Sequence, residues 1–245
     1  MEIESRLLAL WKQAFGDHGG FWEMFLEHGY CRQRMLYLTE DTILSAALCW
    51  FDLEINNQKW AYLYAVVTAP EFRGRGLCRR LLAQAESLWK EMGYAGALLV
   101  PADEGLREMY RKLGYETCTC VAEFTCGPGE PPAALTTLSP AEYARLRRAY
   151  LPEGAAIQEG ENLRFLSAQA ELLRGEDVLL AVWREADVLH AMELLGDPSK
   201  APGIVTALGC SEGHFRTPGE EKPFAMGKKL RPEADFPTYF GFAFD

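Results

Sequence analysis

Apolar residues recur at helical spacing from the start of the chain: Ile3, Leu7, Leu8, Leu10, Trp11 and Phe15 form one stripe closed by a Gly16-Asp17 turn, which predicts a first helix. A second, short helix is predicted over Phe21 to His28. The period then changes to two. Runs from Met35 to Thr39, Thr42 to Leu53 and Lys59 to Thr68 predict three strands, with Glu40-Asp41 as the first turn and Asn56-Asn57 ending the second strand. Helical spacing returns over Arg75 to Met92, where Leu77, Leu81, Leu82, Ala85, Leu88 and Trp89 share a face and Gly93 is the stop. Ala97 to Val100 reads as a short buried strand, Leu106 to Leu113 as a helix ended by Gly114, and Tyr115 to Thr125 as a last strand.

The pattern breaks at residues 127–134, GPGEPPAA, which propagate neither helix nor sheet and predict a linker between a unit over 1–126 and another over 135–245. The later unit shows helical spacing near Pro140 to Tyr150 and Glu161 to Leu173, then a hairpin across Val178 to Leu195. LAVWREADVLHA at 180–191 aligns with LYLTEDTILSA at 36–46 with one residue inserted, which suggests duplication of a half-domain. The expected class is α/β: a mixed, mostly antiparallel sheet flanked by helices, followed by a smaller α+β unit.

Chemistry concentrates in residues 66–82, VVTAPEFRGRGLCRRLL, where an apolar strand runs through a loop of Gly and Arg into an amphipathic helix. A helix start leaves its first N–H groups unpartnered and carries partial positive charge, so an anion placed there satisfies both. Gly74 and Gly76 let the backbone approach closely, Arg73 and Arg75 add charge-assisted donors, and Pro70 stops the strand from continuing its ladder. The expected ligand is a pyrophosphate. The dinucleotide fingerprint needs a different glycine spacing, and a Walker loop needs a Gly-Lys-Ser/Thr ending; neither is present.

Charge changes the picture of partners. A formal net charge of -10 over 245 residues argues against nucleic acid and anionic membranes and favours a cationic small substrate. No apolar run is long enough to span a bilayer, and MEIESRLLALWKQAF carries acids among its apolar residues, unlike a secretory signal. A cytoplasmic location is expected, with the 7 cysteines as reduced thiols. Cys118, Cys120 and Cys126 lack the ligand spacing of a metal site and read as packing, so no metal is expected.

Arg73-Gly74-Arg75-Gly76-Leu77-Cys78 resembles the acyl-CoA signature of the GNAT superfamily of N-acyltransferases, Arg/Gln-x-x-Gly-x-Gly/Ala, with Cys78 where Gly or Ala is usual. LREMYRKLGYE at 106–116 is similar to the family's second signature, and Tyr110 matches its catalytic tyrosine. Asp103 stands where many members carry an Asn that contacts pantetheine. The similarity covers about residues 1–125, and the phrase TAPEFRGRGL with the extra C-terminal unit looks closest to the enhanced-intracellular-survival type. The resemblance implies a GNAT-like fold for 1–126, a degenerate GNAT-like half for 135–245, and acetyl-CoA as cosubstrate.

It further implies an N-acetyltransferase that moves an acetyl group directly to a primary amine of a small molecule or peptide. Backbone groups of Val66, Val67 and Thr68 would hold the pantetheine and the thioester carbonyl, while Arg73, Gly74, Arg75, Gly76, Leu77 and Cys78 would hold the pyrophosphate. Tyr110 would protonate the departing thiolate, since phenol and thiol have comparable pKa values. The strand from Lys59 to Thr68 carries no carboxylate, so the base is sought among Asp52, Glu54, His190, Glu193 and the C-terminal carboxylate of Asp245. Phe21, Trp22 and Phe25 read as core in a region that, in the family, also walls the acceptor pocket. The missing strand carboxylate, Asp103 and the reduced second unit favour an alternative, a non-catalytic module that binds or senses acyl-CoA.

Overall fold

Two tight turns set the first sheet. Asp41 and Thr42 take positive φ (48° and 70°), as do Asn56 and Asn57 (49° and 59°), the backbone of two-residue hairpins whose twist matches that of antiparallel strands. The first turn falls one residue later than expected, because Glu40 still pairs with Ile43. The computed structural model describes residues 2–244. In chain order its elements are α1 (Glu2–Phe15), α2 (Phe21–His28), β1 (Met35–Glu40), β2 (Ile43–Ile55), β3 (Gln58–Thr68), α3 (Leu77–Glu91), β4 (Gly96–Leu99), α4 (Glu104–Arg111), β5 (Glu116–Thr117), β6 (Cys120–Cys126), β7 (Thr136–Thr137), α5 (Pro140–Tyr150), α6 (Glu161–Ser167), β8 (Glu171–Gly175), β9 (Val178–Glu185), β10 (Val188–Gly196), α7 (Ala201–Ala207), β11 (Glu212–Pro218), β12 (Lys222–Pro223) and β13 (Met226–Lys229). No described helix is long and apolar enough to cross a membrane.

Two compact units result, and neither is contiguous in sequence: residues 1–99, 103–116 and 227–235 form the first, and 100–102, 117–226 and 236–245 the second. The first unit's sheet has the order β1-β2-β3-β4-β13-β5, so its fifth strand comes from near the end of the chain. β2 is buried from Leu44 to Leu48 and on through Phe51, the pattern of a central strand covered on both faces. On one face Trp11 of α1 stacks on Trp22 of α2 at 5.5 Å, and Phe25 meets Tyr64 of β3 at 5.0 Å. On the other, Trp89 of α3 meets Trp50 of β2 edge-on at 5.6 Å.

The second sheet has the order β12-β6-β11-β10-β9-β8-β7. The single strand expected over Tyr115 to Thr125 is therefore two: β5 edges the first sheet, and β6 pairs with β11 from Val121↔Pro218 to Cys126↔Gly213. Between them the N–H groups of Cys118 and Thr119 both donate to the Ala225 carbonyl, at 2.9 and 3.4 Å, which takes the chain out of one ladder. The helix expected over Glu161 to Leu173 stops at Ser167, and Leu172 and Leu173 enter β8 opposite Ala181 and Leu180. Leucine favours helix by propensity, and burial in a sheet overrides it.

Both units share one topology. β1-β2-β3 leads through α3 to β4, parallel to β3; β8-β9-β10 leads through α7 to β11, parallel to β10. The hairpin at 180–191 thus corresponds to β2-β3, one strand later than its sequence alignment with 36–46 implies. In each unit a short turn opening on proline follows the crossover strand, Pro70–Phe72 in the first and Pro198–Lys200 in the second.

The second unit is held by a buried ion pair. Arg147 of α5, 2% exposed, donates from Nε and Nη2 to the two oxygens of Glu193 on β10, 0% exposed, at 2.7 and 2.8 Å, and stacks over Phe242 at 4.2 Å. Gly241 must be glycine beside it, since a Cβ there would lie 1.7 Å from Glu193 Oε1. Removing one partner leaves the other charge buried and unpaired. Glu193→Ala is expected to lower unfolding free energy by about 3–5 kcal/mol in urea titration; a loss below ~1 kcal/mol would show that the pair is not what holds this core.

Candidate functional site

The site begins with an irregularity in β3. Ala47 pairs with Val67 and Cys49 with Tyr64, so β3 carries one extra residue there, and Ala65 takes φ 51°. A β-bulge of this kind bends the strand and re-aims its edge. On the other side, parallel pairing with β4 runs from Trp60↔Gly96 to Tyr62↔Leu98 and ends. Val67 and Thr68 still pair with Ala47 and Ala46 of β2, while the opposite edge of β3 beyond Tyr62 has no β4 partner in the ladder. Peptide groups left outside a ladder seek other partners, and Val66, Val67 and Thr68 occupy this splayed stretch.

Immediately after β3 the loop folds on itself. Phe72 is buried and anchors it, its N–H donating to Ala69 O at 2.9 Å. Arg73 Nε donates to Thr68 O at 3.3 Å, and Arg75 Nη2 donates to Glu71 O at 3.1 Å while its guanidinium lies 5.0 Å over the Phe72 ring. Both arginines are thereby held on an exposed loop with further donors to spare. Gly74 (φ 76°) and Gly76 (φ 74°) take the left-handed conformation, and Gly76 is the N-cap of α3 with no side-chain cap hydrogen bond. A Cβ built on either glycine meets nothing within 4 Å, so the space above the loop is open. The first-turn N–H groups of α3, Leu77 and Cys78 among them, stand at this opening. Uncapped donors, a helix dipole and two cations match an anion such as a pyrophosphate.

Tyr110 lies on α4, 6% exposed, and is within electrostatic reach of Cys78 at the start of α3. Burial first, and then Cys78, hold its phenol pKa well above the ordinary value, so the group keeps its proton at neutral pH. Burial likewise raises the Cys78 thiol, which remains a small neutral group beside the cradle. Asp103, at the position where an Asn is frequent in the family, is the N-cap of α4 and accepts the Leu106 N–H at 2.7 Å. A capping carboxylate explains the Asp without any ligand.

The candidate bases fall in different places. Asp52 accepts from Tyr94 Oη and pairs with Lys59 at 3.0 Å and Arg34 at 3.4 Å. It sits opposite Ala61 and Glu54 opposite Lys59, near the start of β3 and about 13 and 20 Å along the strand from the bulge at ~3.3 Å per residue. Glu193 is committed to Arg147. His190 stacks on Trp183 at 4.2 Å beside His214, in a cleft of about 370 Å³ on the second unit's sheet. Asp245 lies outside the described residues. Two features had no sequence signal: an alanine at positive φ, and the strand β13 that places Lys228 in the first unit.

The first unit thus joins a bulged strand, a glycine helix start without a side-chain cap, and a buried tyrosine within electrostatic reach of that start. Residues 2–118 match the family model of the GNAT acetyltransferase domain. No curated protein matches the sequence. Solved structures with the same fold include a GCN5-related N-acetyltransferase from Anabaena variabilis (TM-score 0.72, 16% identity, 94% of this chain and 71% of that one) and Eis1 from Mycobacterium abscessus (TM-score 0.67, 14% identity, 94% and 72%). A tandem GNAT protein from the clavulanic acid biosynthesis pathway matches over 95% of this chain and 96% of its own (TM-score 0.57, 10% identity). These likenesses extend across both units.

Gly76 tests the cradle. A side chain there is strained at φ 74° and fills the open space, and a carboxylate adds repulsion to any phosphate. Gly76→Asp is expected to weaken acetyl-CoA binding by at least about tenfold in calorimetry; parental affinity would exclude the loop as the anion site.

Proposed function

We propose that the chain is an acetyl-CoA-dependent N-acetyltransferase that moves an acetyl group directly to a primary amine of a small molecule or peptide. The observation that carries this reading is the juxtaposition of the uncapped α3 start with the buried, protonated Tyr110. Bound acetyl-CoA supplies the thioester. The residues that would hold it are Arg73, Gly74, Arg75, Gly76, Leu77 and Cys78 for the pyrophosphate, and the main chain of Val66, Val67 and Thr68 for the arm and carbonyl.

In the transfer, the amine nitrogen bonds to the acetyl carbon as the carbon–sulfur bond breaks, and the sulfur takes a proton. Tyr110 is the donor of that proton. Burial keeps the Tyr110 phenol protonated, so it has a proton to give, and backbone donors on the splayed edge are preorganised for the developing oxyanion. The net charge of -10 favours a cationic acceptor over an anionic one. Asp52 and Glu193 are engaged in ion pairs within their own units and Glu54 lies about 20 Å along β3 from the bulge, which leaves His190 and the Asp245 carboxylate as candidates for the amine proton.

Turnover separates this reading from a module that binds acyl-CoA without chemistry. Thiol release from acetyl-CoA with members of an amine panel is expected, and Tyr110→Phe should lower kcat roughly 100-fold while the acetyl-CoA dissociation constant changes less than about twofold. Unchanged kcat removes Tyr110 from the mechanism. Binding with no thiol release from any amine favours the binding module.

A further inference from the structure

Lys228 stands 142 positions from Glu86 and 115 from Leu113 in sequence, yet it joins them. Its ammonium donates to Glu86 Oε1 and Oε2 at 2.8 and 2.7 Å and to the Leu113 carbonyl at 2.9 Å, which uses all three of its protons. Glu86 belongs to α3, the helix whose start forms the cradle, and the Leu113 carbonyl lies just past the end of α4, the helix that carries Tyr110. Gly114, at φ 87°, makes the turn after Leu113 and lies in van der Waals range of the lysine stem. The ammonium also lies 5.7 Å from the centre of the Tyr115 ring.

Tyr115 leads back to the candidate acid. Its ring packs edge-on against Tyr110 at 5.8 Å, and its N–H donates to the Tyr110 carbonyl at 3.1 Å. Glu86, Tyr110 and Cys78 all act electrostatically on the Tyr115 hydroxyl after burial itself, so all three lie within its electrostatic reach. Glu86 is 15% and Lys228 27% exposed, which shields their pair from screening by solvent. β13 holds the lysine in the sheet between β4 and β5, the strands that α4 connects.

From this geometry we infer that Lys228, supplied by the C-terminal strand, is a positioning residue that fixes Tyr110 against the acyl-CoA cradle by tying α3 to the end of α4. The inference rests on the assignment of Tyr110 as the acid. Loss of the tie lets α4 shift relative to α3, and displacement of a reacting group by about 1 Å can cost on the order of 100-fold in rate. The cradle itself lies at the start of α3, nine residues before Glu86, and stays intact.

A double-mutant cycle between Lys228→Met and Tyr110→Phe tests this, read as kcat for thiol release from acetyl-CoA with the fastest amine of the panel, beside acetyl-CoA affinity by calorimetry. Lys228→Met is expected to lower kcat roughly 10- to 100-fold in the parent and less than about twofold in Tyr110→Phe, with affinity nearly unchanged in both. Equal losses in both backgrounds, or parental kcat in Lys228→Met, overturn the inference. If Tyr110→Phe alone retains parental kcat, it is the assignment of the acid that fails. Glu86→Gln takes the place of Lys228→Met should that variant not fold, with the same direction expected. The Glu86→Leu/Lys228→Met pair removes the leftover charge and should recover thermal stability without recovering kcat, whereas recovery of both would mark a purely structural role.

Discussion

Parallel pairing between β3 and β4 lasts only from Trp60↔Gly96 to Tyr62↔Leu98, and the proposed acyl-CoA site depends on where it stops. Had it continued, the peptide groups of Val66, Val67 and Thr68 would be consumed by the ladder and none would face a ligand. Two local features enforce the stop. The extra residue at Ala65 turns the edge of β3 away, and β4 ends at Leu99 just before Pro101, which has no N–H to offer. At the paired end the strands are locked, because Trp60 lies so close over Gly96 that a Cβ would fall 2.1 Å from its ring. A rigid pairing thus opens into a free edge within a few residues, and the loop with Gly74 and Gly76 follows directly.

The second unit shows what remains when only the frame is kept. β10 also carries an extra residue, with Ala191↔Val182 followed by Glu193↔Ala181, and it also crosses through a helix to a parallel partner. The loop after it is shorter: α7 starts at Ala201 directly after the Pro198–Lys200 turn, with Pro202 in its first turn. No Arg-Gly segment intervenes, and a proline there removes a donor an anion would need. What the second unit places near its bulge is Glu193, which is neutralised by Arg147 and enclosed by Tyr143, Gly241 and Phe242. One topology therefore carries an open, uncapped helix start in the first unit and a packed ion pair in the second.

Much of the first unit was legible because its signals are local. The period of the apolar stripe locates α3, paired asparagines mark the β2-β3 turn, and Gly-x-Gly before an amphipathic helix announces an uncapped helix start whatever surrounds it. Long-range features were not legible. Nothing in GYETCTCVAEF indicates that Glu116 and Cys120 belong to different sheets, because the alternation of apolar residues is the same for either pairing. Nothing near Lys228 indicates that it meets Glu86, and the alanine at the β3 bulge carries none of the marks of positive φ that glycine or asparagine gives elsewhere. The base stayed ambiguous for the same reason: Asp52 and Glu193 are engaged by partners distant in sequence, Tyr94 and Arg147 among them.

The central claim is that a single acyl-CoA molecule spans the splayed edge of β3, with its pyrophosphate on the start of α3 and its thioester at Tyr110. Crystallography of the protein with acetyl-CoA tests it most directly. Expected is density in which phosphate oxygens accept from the N–H groups of Leu77 and Cys78 and the thioester sulfur lies within hydrogen-bond reach, about 3–3.5 Å, of the Tyr110 hydroxyl. A ligand bound away from Gly76, or one whose sulfur lies remote from Tyr110, would contradict it.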